Sequence, residues 1–404
     1  MKRLSIITLM CLTAIACQRT EPVGTEGFTL RFRLPEEFKA DAAYSGKTVT
    51  LDGSAHYEFT TDAAGKVEVD SVVPGIYDIV TSLEMTGADY KALLKEASTV
   101  KDDARVIVGV SLTGVRIFAA RDLDIDLTAA VLRDLVISKI YYSGTRDKMD
   151  RTYTSDSYVE IFNNSAEVQY LDGKFLGLAE TESTPAYPAN ENPDSIYLKQ
   201  LCRFPGTGTQ YPVQPGKSIL VAASSARNHL ENADISADLS GADFEVKGME
   251  GSGNPDVPML PLIFNSYAGL LEFNLIAGGP NAVVLVETTE DPAGWKQVYQ
   301  RGKTSGRLFL RMHKKWVSDG VECLKKPAQS APDVNTKRLQ ADVDAGYQTI
   351  TSVNGYNNES VERKVSRSEG GRVFLKDTNN SSVDFVVLTD PTPRKYDKEG
   401  LQDE

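Results

Sequence analysis

Three aspartates alternate with apolar residues in the segment Asp122-Leu-Asp-Ile-Asp126. Alternate residues of a β-strand share one face, so a strand here would align the carboxylates of Asp122, Asp124 and Asp126. Carboxylate oxygens are preferred ligands of Ca²⁺, which makes the segment a candidate cation site. The alternative, which we favour, is a solvated strand face. No other metal site is predicted, because the three histidines lie far apart and no Cys-x-x-Cys motif occurs.

Two further groupings contain residue types found in hydrolases. Asp342 and Asp344 are two positions apart, as paired carboxylates of a glycosidase could be, although a structural role in a turn is favoured. His229 follows Ser224 and Ser225, but no Gly-x-Ser-x-Gly elbow accompanies them, which favours a hydrogen-bonded loop histidine. We therefore predict a binding protein rather than an enzyme, and no cofactor.

The chain contains 17 tyrosines, and several of them surround one predicted hairpin. Tyrosine suits binding surfaces because its ring buries a large area while its hydroxyl forms hydrogen bonds. Packing within strands is the alternative, since tyrosine has a high β-propensity. We predict capture by the loops 141–158 and 228–243. The candidate binding residues are Tyr141, Tyr142, Tyr153, Tyr158, Asn228 and His229.

The N-terminus has the features of an export signal. Lys2 and Arg3 precede an apolar run over residues 4–16, which is shorter than the roughly 20 residues that span a bilayer. The run ends in Ala14-Ile-Ala-Cys17, which resembles the lipobox of bacterial lipoproteins. The resemblance implies that residues 1–16 are removed and that Cys17 carries lipid. An ordinary signal peptide that contains a cysteine is the alternative.

The polar residues that follow, 17–26, are predicted to form the lipid anchor and a flexible tether. The chain of 404 residues is long enough for two or three domains. Its net charge of −12 argues against binding to nucleic acid or to an anionic membrane surface. Cys202 and Cys323 are left in the exported part, where a disulfide and two buried thiols are both possible.

Residues 27–128 are predicted to form an all-β module. The segment Phe28–Leu34 alternates between apolar and polar residues, and short strands with Gly or Pro turns follow it up to Val80. The stretch 60–80 resembles the transthyretin-like and carboxypeptidase-regulatory group of Ig-like modules, which implies a sandwich that acts as a spacer. The matching residues are Thr61, Asp62, Gly65, Val73, Pro74, Gly75 and Tyr77.

A second all-β domain is predicted over residues 135–390, after a hinge at 129–134. It begins with the strand Leu135–Tyr141. The phrases that follow resemble the lamin-tail domain, which implies a larger Ig-like sandwich with loop insertions. The residues that carry this resemblance are Tyr158, Val159, Glu160, Ile161, Asn163, Leu171, Asp172, Gly173, Phe175 and Leu176. Residues 391–404 are charged and proline-containing, and we predict a mobile tail there.

The phrases at 214–223, 237–245 and 372–385 resemble a family of Bacteroidota lipoproteins known as domain of unknown function 4876. The resemblance implies an outer-membrane lipoprotein, often encoded near TonB-dependent nutrient receptors, and supplies no catalytic residue. We therefore expect a ligand-binding or partner-binding accessory to such a receptor, for iron, haem or a glycan. A surface adhesion or scaffold protein is the alternative, ahead of an extracytoplasmic hydrolase. The periplasmic and cell-surface faces of the outer membrane both remain open.

The lipobox predicts that palmitate labelling depends on Cys17. Replacing it, Cys17→Ala, should abolish incorporation of labelled palmitate and leave uncleaved precursor, because the lipid acceptor is lost. Gel autoradiography of cells grown with the label measures this. Cys202→Ala is the control and should label like the parent chain, whereas a labelled Cys17→Ala protein would contradict the lipobox assignment.

Overall fold

The computed structural model describes two β-sandwiches, one over residues 28–132 and the other over residues 135–401. The all-β prediction is therefore confirmed. The structure describes residues 24–25, 27–98, 100, 102, 104–132, 134–246 and 253–401. The predicted signal peptide and the lipidation site Cys17 lie outside these residues. Within the described residues, no helix is long and apolar enough to cross a membrane.

The first sandwich packs a three-stranded sheet, β4-β1-β7, on a five-stranded sheet, β3-β2-β5-β6-β8. Its elements are β1 (Phe28–Arg33), β2 (Thr48–Gly53), β3 (Tyr57–Thr60), β4 (Lys66–Val69), β5 (Gly75–Thr86), α1 (Gly87–Leu93), β6 (Arg105–Ile117), β7 (Leu123–Asp126) and β8 (Thr128–Leu132). The alternation in β1 sends Leu30 and Phe32 into the core, where they pack with Leu51 and Ile79 from the other sheet.

The predicted hinge at 129–134 is wrong over most of its length, because Thr128–Leu132 forms the edge strand β8. This strand pairs with β6, whose backbone groups would otherwise lack partners on that side. Only two residues separate the end of β8 from the start of the second sandwich at Leu135. The helix α1 interrupts the strands between β5 and β6 and covers seven residues. The Thr86 side chain caps its N-terminus by accepting a hydrogen bond from the Asp89 amide.

The second sandwich consists of a six-stranded sheet, β18-β17-β12-β9-β24-β27, and a larger sheet, β21-β22-β15-β14-β20-β23, with β19 paired to β15. Its strands are β9 (Leu135–Tyr141), β10 (Thr145–Arg146), β11 (Thr152–Tyr153), β12 (Tyr158–Asn163), β13 (Gln169–Tyr170), β14 (Phe175–Ala179), β15 (Ser195–Arg203), β16 (Pro212–Val213), β17 (Ser218–Ala222), β18 (Phe244–Glu245), β19 (Leu262–Asn265), β20 (Asn281–Val286), β21 (Gln297–Tyr299), β22 (Leu308–His313), β23 (Val317–Cys323), β24 (Glu359–Arg363), β25 (Val365–Glu369), β26 (Arg372–Leu375) and β27 (Phe385–Thr389).

The helical elements of this sandwich are short. The α-helical turn α2 covers Ser381–Asp384, and 3-10 turns cover Ala189–Glu191, His229–Glu231, Pro292–Gly294, Lys314–Trp316 and Val334–Thr336. The core lies between the two large sheets. Ile137 and Ile161 of one sheet meet Leu176, Val283 and Val321 of the other, and all five are fully buried. The predicted strand Leu135–Tyr141 is confirmed to the residue.

A buried guanidinium joins the two large sheets. Arg363 on β24 donates from Nε to the Ile137 carbonyl (2.9 Å) and from Nη2 to Asp319 Oδ2 (2.9 Å). Asp319 belongs to β23 in the opposite sheet and also accepts the Ile137 amide. From Nη1, Arg363 reaches Asp377 (3.0 Å) and Asp384 (3.5 Å). One cation thus satisfies three buried carboxylates, without which their burial would be strongly unfavourable.

The two candidate carboxylates of residues 342 and 344 have separate roles. Asp342 forms an ion pair with Lys314 (2.6 Å). Asp344 is fully buried and accepts hydrogen bonds from the amides of Glu322 and Ser381 (2.8 Å each), so it orders a turn. Residues 341–345 also face β5 and β6 across a cavity of about 50 Å³, where the two sandwiches meet. The structural interpretation therefore fits both aspartates.

Glu322 on β23 is fully buried, and its Oε2 accepts the amides of Arg338 (2.9 Å) and Leu339 (2.7 Å). Its Oε1 has no hydrogen-bond partner among the described residues. Burial raises the pKa of Glu322 to about 7, against the lowering influence of Lys337 and Arg338. Burial likewise raises the pKa of Asp319 and of Asp384.

A carboxyl whose folded pKa is raised contributes stability that is complete below its unfolded pKa and is lost as the pH rises through its folded pKa. We therefore expect the free energy of unfolding to fall between about pH 4 and pH 7, from the unfolded to the folded pKa of these carboxyls. Glu322 should account for about 3 kcal/mol of this fall, since its pKa rises from 4.5 to about 7. Glu322→Gln should flatten the profile by that amount in urea titrations. The exposed control Glu290→Gln should keep it, and equal profiles for all three chains would contradict the assignment.

Candidate functional site

An open cleft separates the predicted binding loop 228–243 from the C-terminal segment 391–395. Its volume is about 650 Å³. Leu230, Ser236 and Asp238 line the loop side, while Thr392 and Arg394 line the other side. The Arg394 guanidinium closes one end, because it donates to the Gly241 carbonyl (3.0 Å) and to Asp243 Oδ2 (2.6 Å). Part of the predicted loop therefore does border a cavity.

The face of the six-stranded sheet beneath this region carries a row of charged residues. In the strand register, Lys139 on β9 lies between Glu160 on β12 and Glu362 on β24. All three side chains are fully buried. Lys139 Nζ donates to Glu362 Oε2 (2.7 Å). Burying such a row is unfavourable unless every charge is paired and hydrogen-bonded, so the segment that covers it must supply partners.

The C-terminal segment supplies those partners. Lys139 Nζ donates to the carbonyls of Thr392 and Lys395, and its ammonium lies 4.7 Å from the ring centroid of Tyr396. Glu160 accepts the Arg394 amide (2.9 Å) and the Tyr396 hydroxyl (2.6 Å). The segment therefore completes the charged row instead of merely lying over it.

The prediction of a mobile tail is wrong for residues 391–401. Leu401 is fully buried with Val136, Phe162 and Val365, and the Tyr396 ring packs against Phe162 at 4.9 Å. The charged and proline-rich composition suggested disorder because its polar groups looked unpaired. In the fold, the partners come from strands more than 200 positions away in the chain. Residues 402–404 lie outside the described part.

Three of the predicted binding tyrosines are wrong as surface residues. Tyr141, Tyr142 and Tyr158 are fully buried. β9 and β12 lie in the middle of the sheet, and both faces are covered there, so the outward positions of the alternation are buried as well. The Tyr141 hydroxyl donates to Asp156 Oδ2 (3.1 Å). The Tyr158 hydroxyl has no partner within the described chain, and burial raises the pKa of Tyr158 far above its usual value.

The other three candidates meet near the surface. The Tyr153 hydroxyl and His229 Nδ1 are 2.6 Å apart, and Asn232 donates to the same hydroxyl (3.3 Å). His229 is 2% exposed. Its Nε2 forms a hydrogen bond with the main-chain carbonyl of Ser225 (3.0 Å), and this contact does not involve the serine hydroxyl. Asn228 caps the 3-10 turn by accepting the Leu230 amide. These residues hold the loop in place, as the alternative of a hydrogen-bonded loop histidine predicts.

Sequence analysis missed the exposed apolar side chains of these loops. Met149 is 71% exposed, Leu230 42% and Ile235 45%. The two loops that carry them are joined, because the Lys148 amide donates to the Asn232 carbonyl (2.9 Å). The available signal was the presence of large apolar residues within otherwise polar stretches, Met149 in one loop and Leu230 and Ile235 in the other. Large exposed apolar residues grouped on one surface are typical of binding sites.

The three aspartates of the candidate cation site face arginines. Because β1 and β7 pair in parallel, Asp124 lies opposite Arg31 and Asp126 opposite Arg33. Arg31 contacts Asp122 at 2.6 Å, and Arg33 contacts Asp126 at 2.8 Å. This is a solvated ladder of opposite charges, as the favoured interpretation holds. Among the described residues, no group of three or more His, Cys, Asp or Glu side chains is arranged to hold a metal ion.

The two remaining cysteines are free thiols on different strands of the larger sheet. Cys202 lies on β15 and Cys323 on β23, and both are buried in the core between the sheets. Burial raises the pKa of both thiols well above its usual range. Of the two possibilities left open by the sequence, the structure has the buried thiols.

Comparison with known proteins gives a family match for residues 214–392 and a similar fold for almost the whole chain. Residues 214–392 match the family described as "Protein of unknown function (DUF4876)", which confirms that resemblance for these residues. A crystal structure of a DUF4876 family protein from Bacteroides thetaiotaomicron is 23% identical, with a TM-score of 0.59. The alignment covers 93% of this chain and 98% of that chain, so the two share a fold.

Two further structures are similar over only about half of this chain. A DUF3823 family protein from Bacteroides ovatus is 13% identical over 49% of this chain and 98% of its own, with a TM-score of 0.15. One from Parabacteroides merdae is 10% identical over 45% of this chain and 92% of its own, with the same TM-score. None of the curated proteins matches the chain.

The charged row predicts a large asymmetry between single and double substitutions. Lys139→Met should lower the free energy of unfolding by about 3 kcal/mol, because it removes the buried cation of the row and leaves Glu362 with the longer ion pair to Lys398 (3.3 Å). Lys139→Met combined with Glu362→Gln should cost clearly less than the sum of the two single changes. Urea denaturation of all four chains measures the coupling. Additive effects would mean that Lys139 and Glu362 do not stabilise each other.

Proposed function

We propose that this chain is a lipid-anchored outer-membrane protein that binds a protein partner, acting as an accessory to a TonB-dependent nutrient receptor. The lipobox at Cys17 supports the anchor, and the family resemblance supports the receptor setting. The observation that carries partner binding is the joined pair of loops with exposed Met149, Leu230 and Ile235 beside an open cleft. We define these three residues as the loop-tip patch.

The loop-tip patch has the properties of a preorganised protein-binding surface. Its loops are tied by main-chain bonds and by the Tyr153–His229 contact, so docking would cost little ordering entropy. Methionine is enriched at protein interfaces, and a polar rim around an apolar centre is the usual arrangement. Asp238 and Arg394, which line the neighbouring cleft, provide such a rim. Iron, haem or a glycan would then be the cargo of the receptor.

We further infer that the first sandwich is a transthyretin-like spacer and the second a lamin-tail-like domain. In the first, Asp62 accepts the amides of Ala64 and Lys66 (2.8 Å each), and Gly65 has a φ of 73°. This geometry supports the Asp–Gly turn of that resemblance between β3 and β4, since few residues other than glycine adopt that φ. In the second, Asp172 accepts the amides of Gln210 and Tyr211, which supports its role in the lamin-tail phrase.

Affinity purification from detergent-solubilised outer membranes of the native host tests the proposed function. The chain tagged at its C-terminus should recover a TonB-dependent receptor in stoichiometric amount. The triple variant Met149→Ser, Leu230→Ser, Ile235→Ser should lower that recovery by about tenfold or more, because the apolar centre of an interface dominates its affinity. The folded state is checked by circular dichroism.

The matched control is Met259→Ser with Ile263→Ser, which removes exposed apolar side chains elsewhere on the same sandwich. It should recover the receptor like the parent chain. Equal recovery by the triple variant would remove the loop-tip patch from the interface. Recovery of a surface protein other than a receptor would favour the adhesion or scaffold alternative, and recovery of the lipoprotein alone would contradict partner binding.

A further inference from the structure

A further cavity, separate from the loop-tip patch, lies where several strands of the seven-stranded sheet begin or end. The residues after β14, β19 and β23 meet there with those before β20 and β22. The cavity has a volume of about 310 Å³, which is at the lower end of the range for small-molecule sites. Its polar lining includes Glu182, Ser183, Tyr267, Asn274, Arg307 and Lys325, together with Thr181.

The cavity lining carries more positive than negative charge, although the chain as a whole is acidic at −12. Arg307 Nη1 donates to Glu182 Oε1 (2.9 Å) and to the Tyr267 hydroxyl (3.0 Å), and its guanidinium lies 4.1 Å from the Tyr267 ring centroid. Lys325 is exposed and forms no ion pair within the part of the chain that the structure describes. Glu182 therefore offsets only one of the two lining cations.

A third cation lies beneath the lining. Lys199, in the middle of β15, is fully buried. Its Nζ donates to Thr181 Oγ1 (2.9 Å) and to the Asn274 carbonyl (2.6 Å), and both acceptors belong to residues that line the cavity. Neither acceptor is charged, and among the described residues no carboxylate oxygen lies within 4.0 Å of Nζ. A buried ammonium without a counter-ion in direct contact is strongly unfavourable, so a further negative charge in the cavity would stabilise it.

The pKa of Lys199 reflects its burial without a counter-ion in contact among the described residues. Burial lowers its pKa to about 7, while Glu180 and Glu182 act to raise the pKa, and Arg307 and Arg338 act to lower it. Glu180 is itself engaged with Arg338, at 3.7 Å. The Tyr267 ring, 5.7 Å away, is the remaining group that faces the ammonium. An anion in the cavity would supply the missing counter-charge and favour the protonated form.

We propose that this cavity binds a small organic anion, with its carboxylate between Arg307 and Lys325 and above Lys199. The volume accommodates a molecule of about the size of a sugar acid. Ser183 and Asn274 offer hydrogen bonds to the hydroxyl groups of such a ligand. The site shares no residue with the loop-tip patch, so it can be tested independently of the proposed partner binding.

Isothermal titration calorimetry of the soluble chain from residue 18 onward tests the proposal. Glucuronate, inorganic phosphate and glucose are titrated separately, about one pH unit above the pKa of Lys199, in two buffers of different ionisation enthalpy. We expect saturable binding of glucuronate with uptake of nearly one proton per ligand, because Lys199 becomes protonated in the complex. Glucose, which is neutral, should give no saturable signal.

Two kinds of variant separate the roles of the cations. Arg307→Gln and Lys325→Gln should each weaken glucuronate binding by about tenfold. Lys325→Gln should retain the proton uptake, whereas Arg307→Gln should reduce it, because Arg307 acts to lower the pKa of Lys199. Lys199→Met should abolish the proton uptake, and an apolar side chain of similar length is compatible with its buried position. The control Arg121→Gln removes the same charge from the exposed surface of the first sandwich and should change neither quantity.

The outcomes that would overturn the proposal are distinct. Glucuronate binding that does not saturate, or that is unchanged in Arg307→Gln, would exclude the cavity as its site. Saturation by phosphate but not by glucuronate would overturn the carboxylate class. If Lys199→Met does not fold, as judged by circular dichroism, the double variant Arg307→Gln, Lys325→Gln decides, since both side chains are exposed. Unchanged affinity in that variant would reject the site.

Discussion

The buried guanidinium of Arg363 holds the second sandwich together. It contacts a main-chain carbonyl of its own sheet, a carboxylate of the opposite sheet and two carboxylates of the turn that leads into β27. Its planar group also lies 4.5 Å from the Phe385 ring centroid. A lysine could not serve here, because only the forked guanidinium presents several donors in fixed directions. The relative position of the two sheets depends on this geometry.

The outer face of the six-stranded sheet also buries charged side chains, and there the partners come from another part of the chain. The row Glu160–Lys139–Glu362 is closed by the chain's own C-terminal segment, which contributes carbonyls, an amide and a tyrosine hydroxyl. Because unpaired buried charges are costly, the segment and the sheet must remain in register. Arg394 extends that order to the loop 228–243 through its contacts with Gly241 and Asp243. The cleft and the loop-tip patch are therefore held by a network that begins inside the sheet.

The two proposed sites differ in chemistry and in location. The loop-tip patch consists of exposed apolar side chains on two joined loops, which suits a macromolecular partner. The cavity above Lys199 is small, polar and locally positive, and it lies at the edge of the other sheet, which suits a small anion. Local positive charge in an acidic chain is informative because the long-range field would otherwise repel anions. Only contacts within the cavity can outweigh that repulsion.

Local residue patterns were enough to predict several strands. Alternation in Phe28–Arg33 and the apolar run Leu135–Tyr141 each match a strand, since side-chain direction on a strand has a period of two. These patterns did not determine exposure. Tyr141, Tyr158 and Lys139 occupy outward positions that only the distant C-terminal segment and the loop after β17 convert into buried ones. Likewise, the local sequence does not distinguish Lys199 from the other lysines. Lys199 is buried because β14 and the residues after β19 enclose it. These contacts join residues that are far apart in the chain, and the local sequence pattern carries no information about them. Which polar residues are buried and which apolar ones are exposed therefore follows only from the tertiary fold, because distant segments supply the covering groups.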